Sequence, residues 1–253
     1  MIIKNQRAQA TIFIIVAVLM IAAVGVVFLL KFQQTPTTTT SPERNPGAFI
    51  ESCVKEKMQE NIDLVVSQGG FIEPKDFKIY NDIKTSYLCK NVVNYEPCIN
   101  MHPMFFSEIS KDLKNNIAPF IDECLVNLKE TLEKDKYGVV FGEETEVSVN
   151  LVPNQVLLKI VKDITITKSE ETFTFNEMII SFNTALYDLV LIATRIADNE
   201  ARFCYFEYGG YMNLYPDYFI KFHLMSDSTK IYSIKDRTTE EEMNIAIRGC
   251  ALH

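Results

Sequence analysis

A chain of 253 residues with 47% hydrophobic content, no tryptophan and a formal net charge of −8 has length enough for one full core or two small ones. Lys4, Arg7 and Lys31 fall before residue 33 and no acid does, which leaves −11 on the remainder. That acidity excludes nucleic acid and anionic lipid as electrostatic partners, because phosphate binding needs clustered Lys and Arg.

Residues 10–30, ATIFIIVAVLMIAAVGVVFLL, contain no charge. As a helix they span about 31 Å, against about 30 Å for a bilayer's hydrocarbon core. The backbone closes its own hydrogen bonds and the Ile, Val, Leu and Phe side chains face lipid. Lys4 and Arg7 precede the span, while after Lys31 the next cation is Arg44. The positive-inside rule therefore predicts residues 1–9 in the cytoplasm and the C-terminal region outside. A cleaved secretory signal would have an apolar region of about 7–15 residues ending in an A-x-A-like site. Here the run is longer and Lys31-Phe32-Gln33-Gln34-Thr35-Pro36 follows.

Lys4, Arg7, Ala8 and Gln9, directly before an apolar helix, resemble the class III signal of archaeal type IV pilin-like proteins. The resemblance implies cleavage between Ala8 and Gln9. It departs from the family at Phe13, where many pilins carry the Glu that pairs with a neighbour's terminal amine.

Residues 31–46 hold three prolines and a Thr run, which bury no face and hold no helix; they predict an extended stalk. From residue 47 onward a folded domain is expected. Asn45-Pro46 reads as an N-cap with Pro at the first helical position. Ile50, Cys53, Val54, Met58, Ile62 and Val65 recur at helical spacing up to Gly69-Gly70. Short strands are expected at 77–80 and 85–89, and a loop at 94–101. A second helix begins near Ser107, striped by Ile109, Leu113, Ile117, Ile121, Cys124, Leu128 and Leu132, with a kink or break predicted at Pro119.

Beyond Gly142 the period becomes two. Val147, Val149 and Leu151, then Val156, Leu158 and Ile160, then Ile164 and Ile166, alternate with outward residues. Phe173 and Phe175 follow a Lys168-Ser169-Glu170 turn, which completes an antiparallel meander. Ala185, Leu186, Leu189, Ala193 and Ile196 return to a helix. Strands are expected near 203–208, 218–225, 230–234 and 244–250, with Gly209-Gly210 as the turn between the first two. The predicted class is α+β, with helices packed on one face of an antiparallel meander sheet.

All six cysteines lie past the apolar span. An even count on the outer side predicts disulfides; fifteen full pairings are open, and the set favoured among them is Cys53–Cys124 between two helices, Cys89–Cys98 across a loop and Cys204–Cys250 between strands. There is no C-x-x-C and no close Cys/His cluster, so neither a metal nor a redox cofactor is expected. Ile50-Glu51-Ser52-Cys53, Ser67-Gln68-Gly69-Gly70-Phe71-Ile72, Ile121-Asp122-Glu123-Cys124-Leu125 and Ala246-Ile247-Arg248-Gly249-Cys250-Ala251, with the anchor, resemble uncharacterised archaeal membrane-tethered proteins. That likeness implies a cell-envelope location and supplies no activity.

Of the three histidines, His102 falls in a predicted loop, His223 on the polar side of a predicted strand, and His253 at the end. No G-x-S-x-G, H-E-x-x-H, Gly-rich phosphate loop or D-x-D-x-D-G is present. The acidic pairs Glu143-Glu144 and Glu170-Glu171 and the run Glu240-Glu241-Glu242 read as solvated turns. Aromatics crowd residues 203–222, and Tyr208, Tyr211 and Tyr215 are the candidate contact surface within them. The expected protein is thus a non-enzymatic envelope protein, held by the lipid bilayer through residues 10–30 and contacting a surface protein or glycan.

Overall fold

The computed structural model describes residue 42, residues 45–93 and residues 96–249. The chain divides between Ser41 and Pro42, and the described residues belong to the second unit. The expected anchor at 10–30 and the Ala8–Gln9 processing site lie outside them. Among the described residues no helix is long and apolar enough to cross a membrane.

Helix α1 (Pro46–Ser67) begins as expected: the Asn45 side chain accepts the Ala48 amide at 3.0 Å, with Pro46 in the first turn. Ile50, Val54, Met58, Ile62 and Val65 are buried along one stripe. It ends where Gly69 and Gly70 take φ of +73° and +108°, and the Ser86 amide donates to the Gln68 carbonyl. A Cβ on Gly69 would strike the Asn244 carbonyl oxygen, and one on Gly70 the Phe105 ring. Gly69→Ala therefore meets both a left-handed backbone and another strand's main chain, and is expected to cost more than about 1 kcal/mol. Urea unfolding checks this; an unchanged midpoint would show that the strand yields freely.

Strands β1 (Phe77–Tyr80) and β2 (Ile83–Lys90) pair antiparallel. The expected loop at 94–101 instead contains β3 (Ile99–Asn100), paired with the end of β2 next to the Cys89–Cys98 disulfide. Helix α2 (Phe105–Lys134) buries the whole predicted stripe from Ile109 to Leu132. The helix is continuous through Pro119, so of the expected kink or break the break does not occur. Pro119 and Asn115 are both exposed, so the carbonyl that loses its helical amide is on the water side, and the proline is tolerated. Cys53 of α1 and Cys124 of α2 form a disulfide, with Cα atoms 6.0 Å apart.

Strands β4 (Gly138–Phe141), β5 (Glu146–Val152), β6 (Gln155–Lys168) and β7 (Glu171–Asn183) make one antiparallel sheet. β6 is its spine: β5 and β4 divide one edge, and β7 runs along the other. The register of β6 against β7 shifts between Val161 and Ile164, while Val156, Leu158, Ile160, Ile164 and Ile166 all stay buried. Helix α3 (Leu186–Phe203) follows. Its start is held by Glu241, whose Oε2 accepts from the Ala185 amide and, at 3.1 Å, the Thr184 hydroxyl. An anion at a helix N-terminus is favourable, so Glu241 is not the solvated turn acid expected.

Short helix α4 (Tyr208–Leu214) leads into β8 (Tyr218–Leu224), β9 (Lys230–Asp236) and β10 (Glu242–Arg248). The second sheet has the order β1-β2-β10-β9-β8, with β3 on β2. Its junction of β10 with β2 is parallel. The α+β class stands, but the single antiparallel sheet with helices on one face does not: among the described residues there are two sheets, one of them mixed. α3 touches β2, β9 and β10 of one sheet and β5 and β6 of the other. Its Leu189, Ile192 and Ile196 belong with both sheets to one core cluster, each worth roughly 1.5–3 kcal/mol on burial.

Candidate functional site

The segment after α3 is built differently from the strand expected at 203–208. α3 continues through Phe203 and stops where Cys204 adopts a left-handed conformation (φ 56°, ψ 18°). Glu207 then caps α4, accepting the Gly210 amide at 3.2 Å and the Tyr205 hydroxyl at 2.7 Å. Gly209-Gly210 thus lies in the first turn of a helix, not in a turn between strands. The two bonds hold the Glu207 carboxyl below its usual range, the Tyr205 hydroxyl being the larger cause.

The three candidate tyrosines are brought together but divide by role. Tyr208 and Tyr211 are half-buried and pack on the core cluster, Tyr208 stacking on Phe222 at 6.3 Å. Tyr215 is 42% exposed and its ring lies 4.6 Å from that of Tyr211. Arg195 of α3 sits 5.9 Å from both rings. Hydrogen bonding to Tyr215, then the proximity of Tyr211, raises the Arg195 pKa further. In the same segment Phe203 is 69% exposed, Tyr205 48% and Leu214 77%. Several large side chains of residues 203–215 are thus left uncovered by the core.

Beneath the face lies a group that sequence reasoning missed. Glu200 and Lys230, 0% and 1% exposed, form an ion pair at 2.7 Å. The other Glu200 oxygen accepts the Tyr232 hydroxyl, and Lys230 Nζ also donates to the Cys204 carbonyl at 2.6 Å. Burial, then the Glu200 charge, pushes the Tyr232 phenol far up. Tyr232 contacts Phe206 and Phe222 at 6.3 and 5.4 Å between ring centroids, so the ion pair underlies the aromatic segment. The available signal was a Glu in phase with Ala193, Ile196 and Ala197, and a Lys directly before Ile231, Tyr232 and Ile234.

At the other end of α4, burial and then Asp188 push the Tyr218 phenol up to about 12 from 10.0. A raised folded-state pKa means the stability tied to this proton is full below pH 10.0 and falls between 10.0 and about 12. Stability measured across that window should decline less in Tyr218→Phe than in the unaltered chain. Equal slopes would remove Tyr218 as a cause.

A cleft of about 440 Å³ opens between the 71–76 segment, β2 and the start of α2. His102 lines it, its Nδ1 2.6 Å from Glu108 Oε2. His223 is exposed as expected, its ring 5.8 Å from Tyr80; His253 lies outside the described residues. Two expected disulfides are present, Cys53–Cys124 and Cys89–Cys98. Cys204 is disulfide-bonded, and its expected partner Cys250 lies outside the described residues. Among the described residues no group of three or more His, Cys, Asp or Glu side chains is placed to hold a metal ion. Comparison with protein-family models, curated proteins and solved structures finds no match to this chain.

Proposed function

We propose that this chain is a membrane-tethered envelope protein whose extracytoplasmic α+β domain is a non-catalytic interaction module. Residues 10–30 would hold it in the bilayer, and its outer face would contact a surface protein or glycan. The observation that carries this reading is that Phe203, Tyr205, Leu214 and Tyr215, within thirteen residues at the end of α3 and along α4, are all exposed. Aromatic contact surface with few rotatable bonds suits recognition. Disulfides in the domain suit a compartment without cytosolic reductants.

The test places a photocrosslinking residue at Leu214 in the full-length protein on intact cells, with a control at Val140, which is 67% exposed on β4. A discrete adduct at 214, absent at 140 and lost in Phe203→Ser/Tyr215→Ser, is the expected result. Equal labelling at both positions, or none at 214, rejects the interaction face. Alkaline extraction tests the tether separately: release of the protein from membranes would count against it.

A second reading has its own support in Arg7-Ala8-Gln9 ahead of the apolar run. A pilin-like subunit would be processed there and assemble through that helix. Terminal sequencing of the mature chain decides between them, Gln9 favouring the subunit and Met1 the plain anchor.

A further inference from the structure

We propose that the groove between α2 and the open edge of β5 binds an extended peptide segment as an added strand, with acidic side chains turned toward α2. The groove encloses about 690 Å³ and is lined along one side by every residue of 146–151 in β5. Side chains of a strand alternate between its faces, so a cavity that meets consecutive residues runs along the strand's edge. On the other side stand Phe106, Ser107, Ser110, Lys111, Lys114 and Asn115, which helical spacing puts on one flank of α2. That edge has main-chain groups to offer. Among the described residues β5 pairs with β6 alone. Val152 and Gln155 are partners across the turn at Pro153-Asn154, so their main-chain groups face each other. Alternation from there points the amides and carbonyls of Val147, Val149 and Leu151 away from β6. None of the three has another backbone partner among the described residues. Such a row is a template for an incoming strand, and an extended peptide binds it through main-chain hydrogen bonds.

The helix wall selects the peptide. The charged residues lining the groove are Lys111 and Lys114 against Glu146 alone, an excess of positive charge on a chain whose formal net charge is −8. Both lysines are exposed and, like the hydroxyls of Ser107 and Ser110, make no ion pair or hydrogen bond among the described residues. Lys111 also borders the His102 cleft, whereas Glu108 and Asp112 line that cleft and not the groove. Glu146 opens β5, so the helix flank itself presents cations and hydroxyls only. Acidic side chains facing α2 are therefore favoured over basic ones. No residue of 203–215 lines the groove, so it is a second contact site with a test of its own.

Fluorescence anisotropy of the full-length protein in detergent tests this with labelled peptides of alternating Thr and Val. One carries Glu at two of the Thr positions, one carries Lys there, and one is the Glu peptide methylated at alternate main-chain nitrogens. Saturable binding of the Glu peptide is expected, with the Lys peptide about tenfold weaker or more and the methylated one not binding. Lys111→Gln/Lys114→Gln should lose about tenfold in affinity for the Glu peptide while melting as the unaltered chain does, since both side chains are exposed. Amide exchange at Val147, Val149 and Leu151 should slow when the Glu peptide is added, a readout that charge attraction alone would not move. No saturable binding, equal binding of the Lys or methylated peptide, undiminished affinity in the variant, or unchanged exchange at those amides overturns the proposal. Self-association that protects the same amides without peptide also overturns it, and makes the groove a contact between copies of this chain.

Discussion

Lys230→Met is expected to lower the unfolding free energy by about 3–5 kcal/mol, the usual cost of leaving one partner of a buried pair charged and alone. Glu200 is wholly buried, and the variant leaves it only the Tyr232 hydroxyl as hydrogen-bond donor. The double variant Glu200→Gln/Lys230→Met should be more stable than Lys230→Met alone. Gln keeps an acceptor for Tyr232 while removing the stranded charge, so the loss that remains is the bond to Cys204 and some packing. A double-mutant cycle in urea gives the coupling directly. If the double variant were no more stable than the single, the buried charge would not be the source of the cost.

The same pair bears on the proposed interaction face. Lys230 Nζ joins β9 to the Cys204 carbonyl, the point where α3 turns and from which Phe203 and Tyr205 project. Hydrogen exchange at the amides of 204–211 should accelerate in Lys230→Met more than exchange in β5 and β6, which lie in the other sheet. The link is from a charge-assisted hydrogen bond to the order of a surface, and it separates loosening of that face from loosening of the whole domain.

Where a feature is determined by neighbours in the chain, the residues announce it. Asn45-Pro46 opens α1 because a capping side chain and a fixed φ act within four residues. The alternation through Val147–Ile166 reads as strands because one face must meet a core, and Ser169 takes φ +54° at the turn where Lys168-Ser169-Glu170 predicts one. The cysteines of α1 and α2 each lie on their helix's apolar face, which favours Cys53–Cys124 among the fifteen pairings without fixing it. The parallel junction of β10 with β2 has no such signal: it joins Ala246 to Tyr87, and only the assembled sheet brings them side by side. Residues 203–215 misled for a different reason. Their aromatics resemble a strand's, yet Phe206 faces the core while Phe203 and Tyr205 face out, and the Glu207 cap that sets α4 depends on two local hydrogen bonds. Glu200 and Lys230 escaped because each is a charged residue whose partner lies 30 positions away.

The two described disulfides should differ in what they stabilise. Cys53 and Cys124 are separated by 71 positions, and Cys89 and Cys98 by 9. On the loop-closure account, removing the first costs about 4.4 kcal/mol and removing the second about 2.7 kcal/mol. Cys53→Ala/Cys124→Ala should therefore be the less stable variant by about 1–2 kcal/mol in urea. Reduction of the unaltered chain, which leaves no cavity, should show a loss of the same origin. A larger loss from the short loop would mean that local native packing, not the unfolded chain's entropy, sets the contribution. That outcome has a physical basis to be tested against, because Cys89 and Cys98 are both buried. Cys98 also precedes β3, whose Asn100 pairs with Cys89 and whose side chain accepts the His102 amide. Cys89→Ala/Cys98→Ala is accordingly expected to speed amide exchange at 99–102 beside the cleft, which Cys53→Ala/Cys124→Ala should leave unchanged wherever the domain stays folded. The longer bridge then stabilises the helical layer, and the shorter one positions His102 and the wall of the cleft.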